Sequence, residues 1–249
     1  MVHVLTRAAK QKQQSKSVVC SSSKSASKSS SMCTINKSKS YANNAYKTVI
    51  NTLFADSLRR NFSNKDPNSF IAYLDGDEGF TSSKLLEKGF GKNELLVIEA
   101  DAKVAAVHRA REIPCHEGTV WDYCSTELHP EYLIFPNNYY SCLCRGVFLD
   151  FCGQVASHGK EALDFVRVIN LTEGTVLGFT FTRMRVKESL HHKRMREFQQ
   201  NLQRVVEKKG FFLKPGRQEL LYGGDGLGGR GAPMHWVQYE VTGEPPKRF

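Results

Sequence analysis

From residue 67 onward, short apolar runs closed by an acid or a glycine alternate with segments of helical period. That rhythm confines the chain to the α/β class. Ser69–Leu74 (SFIAYL) ends at Asp75-Gly76 and reads as a buried strand, and Ser82–Lys88 follows as a helix stopped by Gly89. Glu94–Ile98 reads as a second strand, Lys103–Arg111 as a helix and Ile113–His116 as a third strand. Trp121–Ser141 carries no clear period. Gly146–Phe151 (GVFLDF) is a fourth strand, Lys160–Asn170 a helix, Thr175–Phe181 a fifth strand and Ser189–Lys208 a long basic helix ended by Gly210. Glu219–Tyr222 and Trp236–Val241 form a closing strand pair around the glycine-rich segment 223–231, which reads as a mobile hairpin connection. Ahead of the first strand, Tyr46, Val49, Ile50, Leu53, Phe54 and Leu58 recur at helical spacing, and this helix ends near Arg60. The expected fold is α/β: a mainly parallel, seven-stranded-type sheet with helices on both faces and an antiparallel strand pair at the C-terminus.

Residues 1–40 are different in kind. They hold eight of the 35 basic residues and none of the 25 acids, so the net charge of +10 falls to +2 over residues 41–249. Serines at 21, 22, 23, 25, 27, 29, 30 and 31 crowd a segment with few large apolar residues. Such a segment cannot bury enough surface to offset the entropy of ordering, so it is expected to be a disordered tail ahead of one domain over 41–249. Three roles stay open for it: a solvated arm with affinity for nucleic acid polyanions, a cleavable transit peptide, or a nuclear address. The seven cysteines are odd in number and lack a CxxC pair, which argues for a reduced intracellular compartment, cytoplasm or nucleus before an organelle. No stretch reaches the roughly 20 apolar residues of a membrane span.

In such a sheet the ligand sits at the carboxyl ends of the strands. The first strand ends Asp75-Gly76-Asp77-Glu78-Gly79-Phe80-Thr81-Ser82-Ser83 and runs into a helix, a loop able to cradle a cofactor against free backbone N–H groups. The same residues also make an ordinary capped strand–turn–helix. Glu99 ends the second strand 24 residues after Asp75, where an acid can accept both hydroxyls of a ribose. Gly118-Thr119-Val120-Trp121-Asp122 follows the third strand and can flank an adenine ring, and Asp150-Phe151-Cys152-Gly153 ends the fourth.

This ordered set, over about residues 45–241, resembles the class I S-adenosylmethionine-dependent methyltransferases. The resemblance implies S-adenosylmethionine as cofactor, with Asp75, Gly76, Asp77, Gly79 and Thr81 in the first motif and Glu99 on the ribose. It places Thr119 and Asp122 beside the adenine and Asp150 near the transferred methyl. The family's acid–Gly–Gly–Gly pattern would put glycine at Asp77 and Thr81, and the chain departs at both. A nicotinamide cofactor competes for such a sheet, but Asp75, Asp77 and Glu78 would repel a pyrophosphate, whereas they suit a sulfonium.

Three acceptor signatures are incomplete. The Asp/Asn-Pro-Pro-aromatic tetrad of amino-methylating enzymes is replaced by Asp150-Phe151-Cys152-Gly153, and Cys152 follows Phe151 instead of the proline of cytosine ring-carbon enzymes. Of the Lys-Asp-Lys-Glu arrangement of ribose methylation, Asp150 and Glu240 can fill two places, while Phe181-Thr182-Arg183 offers no lysine. Arg183, Arg185, Lys193 and Arg194 form a basic rim able to hold the phosphates of RNA or DNA, and a solvated helix face is the alternative. Cys152 with His158 as base could act as a nucleophile, against the more common role of filling space. Cys124, Cys142, Cys144 and His116 lack zinc-knuckle spacing, so no metal is expected. Two functions follow: methyl transfer to nucleic acid, or an inactive subunit of the same fold that binds nucleic acid or serves as a scaffold.

Overall fold

The computed structural model describes residues 45–63, 68–127, 142–184, 186–222 and 233–245. The chain divides into units 1–38 and 39–249, and every described residue belongs to the second. The expected tail over 1–40, the glycine-rich segment 223–231 and Arg185 lie outside the described residues.

The strands are β1 (Ser69–Leu74), β2 (Leu95–Glu99), β3 (Cys115–Glu117), β4 (Leu143–Asp150), β5 (Leu171–Thr182), β6 (Phe212–Tyr222) and β7 (Met234–Thr242). They form one seven-stranded sheet in the order β3-β2-β1-β4-β5-β7-β6. The first five strands run parallel, and β7 inserts antiparallel between β5 and β6. The helices are α1 (Ala45–Asn61), α2 (Phe80–Glu87), α3 (Ala102–Ala110), α4 (Val120–Glu127), α5 (Val155–Val168) and α6 (Glu188–Glu207). This is the expected α/β architecture with its closing antiparallel pair. No helix among the described residues is long and apolar enough to cross a membrane.

Side-chain alternation along the strands splits the core in two. Phe70 and Ala72 face α4, α5 and α6, with Tyr123, Phe165, Phe198 and Leu202, whereas Ile71 and Tyr73 face α1 and α2, with Phe54, Leu58 and Leu85. On the α1 side, Gly146 and Gly178 leave room for the helix. A Cβ at Gly146 would stand 2.7 Å from Leu58 Cδ2 and 3.1 Å from Phe54 Cζ, and one at Gly178 would stand 3.0 Å from Phe148 and 3.5 Å from Phe54. With no side chain at either position, α1 presses directly onto β4 and β5.

Several elements depart from the expected bounds. α4 occupies part of the stretch without a clear period; Val120, Tyr123 and Cys124 are buried at helical spacing, but the exposed Trp121 between them blurs the pattern. It is held at its start by a local cap between Thr119 and Asp122. α5 begins at Val155, five residues before Lys160, and α2 begins at Phe80. β6 starts at Phe212, not Glu219, because the edge strand accommodates Pro215 through an irregularity between Pro215 and Glu219.

Candidate functional site

The strand order reverses direction at β1 and β4, and the crevice above their carboxyl ends is where a doubly wound sheet receives its ligand. Asp75 follows β1 and Asp150 ends β4; Tyr73 and Phe148 are Cα partners, so the two acids stand at the same level on neighbouring strands. Glu99 ends β2 on the other side of β1.

Asp75 is turned inward. Its carboxylate accepts hydrogen bonds from the Ser82 backbone N–H at 2.9 Å, the Ser82 hydroxyl at 2.7 Å and the Thr81 N–H at 3.3 Å. The Tyr73 hydroxyl, 2.9 Å from Ser82 Oγ, completes a buried chain. Asp75 therefore satisfies free N–H groups at the start of α2, which also favours its charge. Burial outweighs these bonds and pushes its carboxyl above the ordinary value. Gly79 caps α2 in the left-handed region at φ 69, where a side chain would be strained and would strike the Arg111 guanidinium. Thr81 is buried, and its hydroxyl has no partner among the described residues. Asp77 is exposed, while Gly76 is open, with nothing within 4 Å of the position a Cβ would take.

Glu99 is half-buried. Its Oε1 accepts the Asp101 N–H at 2.7 Å, and Oε2 has no hydrogen-bond partner among the described residues. Thr119 and Asp122 engage each other: Asp122 Oδ2 accepts the Thr119 N–H at 2.8 Å and the Thr119 hydroxyl at 2.7 Å. The Thr119 N–H and then its hydroxyl hold the Asp122 carboxyl below its ordinary value.

Asp150 has a partner that the sequence pattern did not single out. Lys47, in the first turn of α1, places Nζ 2.9 Å from Asp150 Oδ2. Burial works against the ammonium, but attraction to Asp150 and the hydrogen bond to it prevail, with Asp75 adding to them, and the Lys47 pKa rises. A lysine thus stands beside Asp150, delivered by the first helix and not by the end of β5. The available signal was its place on the apolar face of α1, one turn before Ile50 and two before Phe54.

Glu240 does not join this site. It pairs across the sheet with Val176, whereas the residue level with Asp150 and Thr180 is Trp236, about 13 Å away along β7. Cys152 is shifted above its ordinary thiol value by partial burial and by the Asp150 charge, away from the nucleophilic thiolate. His158 stacks on Phe151 at 4.9 Å and meets Glu161 at 3.1 Å. Among the described residues no three His, Cys, Asp or Glu side chains converge on a metal position.

Arg183 lies just past β5, with its guanidinium 3.5 Å from Glu188. Lys193 and Arg194 occupy the second turn of α6, and Lys193 stands 3.9 Å from Glu197. Near Arg183, a second polar cluster links α6, β7 and β6: His191 Nε2 is 2.8 Å from His235 Nδ1, and His235 Nε2 is 2.5 Å from Glu219 Oε1.

No family model matches the chain, and no curated protein matches it either. Among solved structures it is similar to the O-methyltransferase from Bacillus cereus in complex with SAH, at 12% identity and TM-score 0.46 over 77% of this chain and 80% of that one. It is similar to the O-methyltransferase TomG from Streptomyces achromogenes in complex with SAM, at 13% identity and TM-score 0.46 over 80% and 81%. Cofactor-bound Rv0187 from MTB is a third, at 11% identity and TM-score 0.47 over 81% and 82%.

Proposed function

We propose that the chain transfers a methyl group from S-adenosylmethionine, with nucleic acid as the acceptor. The observation that carries this reading is the Lys47–Asp150 pair at the reversal of strand order, on one side of the open backbone at Gly76, with Glu99, whose Oε2 has no partner among the described residues, on the other. These residues fit the cofactor: Glu99 Oε2 can accept a ribose hydroxyl, and the backbone at Gly76 can be approached closely. When bound, the cofactor supplies an activated methyl on a sulfonium, so the protein's task is alignment and exclusion of water.

Asp150 would orient the acceptor and take its proton, with the Lys47 ammonium 2.9 Å from its carboxylate. The pair favours a hydroxyl over an amine. An ammonium beside the acceptor stabilises an oxygen losing its proton, but it repels a nitrogen that gains positive charge on methylation. Arg183, Lys193 and Arg194 would hold phosphates beside the crevice, with Arg185 and the basic residues of 1–40 adding positive charge.

A second reading, the inactive nucleic-acid-binding or scaffold subunit, is favoured by one observation. Asp75 and Gly79 are committed to α2 and Arg111, leaving less of the first loop for a cofactor. Calorimetric titration with S-adenosylmethionine separates the two. Binding followed by methyl incorporation into RNA or DNA supports the enzyme, and no binding leaves the second reading.

A further inference from the structure

Lys47 is held in the crevice by the packing beneath it. Phe54 and Leu58, further along α1, fill the space above Gly146 and Gly178, so the start of the helix projects over the end of β4. The Lys47 and Asp150 side chains are only 25% and 12% exposed, which leaves little solvent to screen their charges. Asp75 and Cys152 also lie within electrostatic reach of the ammonium. The ammonium carries its charge at neutral pH as an ordinary lysine does, and the Asp150 carboxylate beside it, against the effect of burial, raises its pKa further.

Methyl transfer changes two charges in this crevice, the positive charge on sulfur and the negative charge on Asp150. The sulfur–methyl bond breaks with its electron pair left on sulfur, turning a sulfonium into a neutral thioether. The acceptor atom bonds the methyl carbon, and its proton passes to Asp150. A fixed ammonium nearby disfavours the cationic sulfur and leaves the neutral one untouched. We propose that Lys47 is a specificity-determining residue that sets the crevice's preference between the two sulfur charge states, weakening S-adenosylmethionine relative to S-adenosylhomocysteine. This rests on the reading of the crevice as a methyl-donor site.

The test compares the dissociation constants of S-adenosylmethionine and S-adenosylhomocysteine, measured by calorimetry on the full chain. Lys47→Gln should shift their ratio toward S-adenosylmethionine by about fivefold or more, and Lys47→Arg should keep the original ratio. Asp150→Asn, which leaves Lys47 uncompensated, should shift it the other way. A ratio unchanged in Lys47→Gln, or one that fails to move the opposite way in Asp150→Asn, overturns the inference. Failure of the unmodified protein to bind either compound would instead overturn the donor-site reading beneath it.

Discussion

Asp75 and Ser82, seven residues apart, are joined twice: the Asp75 carboxylate accepts both the backbone N–H and the hydroxyl of Ser82, at 2.9 and 2.7 Å. An acid at a strand end has thereby become a fastening for the helix that follows. Replacing Asp75 with Ala leaves buried N–H groups unpaired and should cost about 1–3 kcal/mol of stability. Urea unfolding checks this; an unchanged midpoint would show that the loop does not depend on the bond.

Glu99 should behave in the opposite way. Glu99→Ala removes one contact within the loop, to Asp101, and is expected to leave the fold intact. Cofactor affinity should fall at least about tenfold, because charge-assisted bonds to ribose are lost. Calorimetry decides it, and unaltered affinity would remove Glu99 from the site.

The seating of α1 can be tested without touching the crevice. Gly146→Val places methyl groups where Leu58 and Phe54 already sit, and overpacking of this kind costs about 1–3 kcal/mol. Its melting temperature should drop, and lifting α1 with Lys47 away from Asp150 should move the ratio of the two dissociation constants in the direction of Lys47→Gln. A variant as stable as the parent would mean that α1 has slack.

His191 gives the fold a dependence on pH. Its pKa is lowered from 6.5 to about 4, first by burial, then by His235, Arg183, His192 and Arg194. With the folded value below the unfolded one, the unfolded chain binds the proton more readily between these limits. Stability is therefore fully present above about pH 6.5 and is lost as pH falls toward 4. Melting temperatures recorded across that window should decline with acid, and less steeply in His191→Gln. Equal slopes in both proteins would clear His191 of the effect.

The strands and most of the helices were legible because their signals are local. A buried strand must be a short apolar run, and a helix lying on a sheet must repeat every three to four residues. Ser69–Leu74 alone defines β1, and acids at 75, 99 and 150 mark strand ends in the sequence itself. α4 is hidden in the sequence because the exposed Trp121 interrupts the apolar spacing of Val120, Tyr123 and Cys124, and the full length of β6 because Pro215 reads as a breaker.

What those acids do was decided only in three dimensions. A carboxylate's role depends on which donor reaches it first. The tight turn after β1 brings Ser82 back to Asp75, while Asp150 receives Lys47 because Gly146 and Gly178 let α1 settle onto the sheet. Glu240, plausible by residue type, belongs to a strand that runs antiparallel, so its place along β7 puts it far from Asp150. Periodicity in the sequence determined the layers of this protein; the close approach of one helix to two glycines decided which charges meet between them.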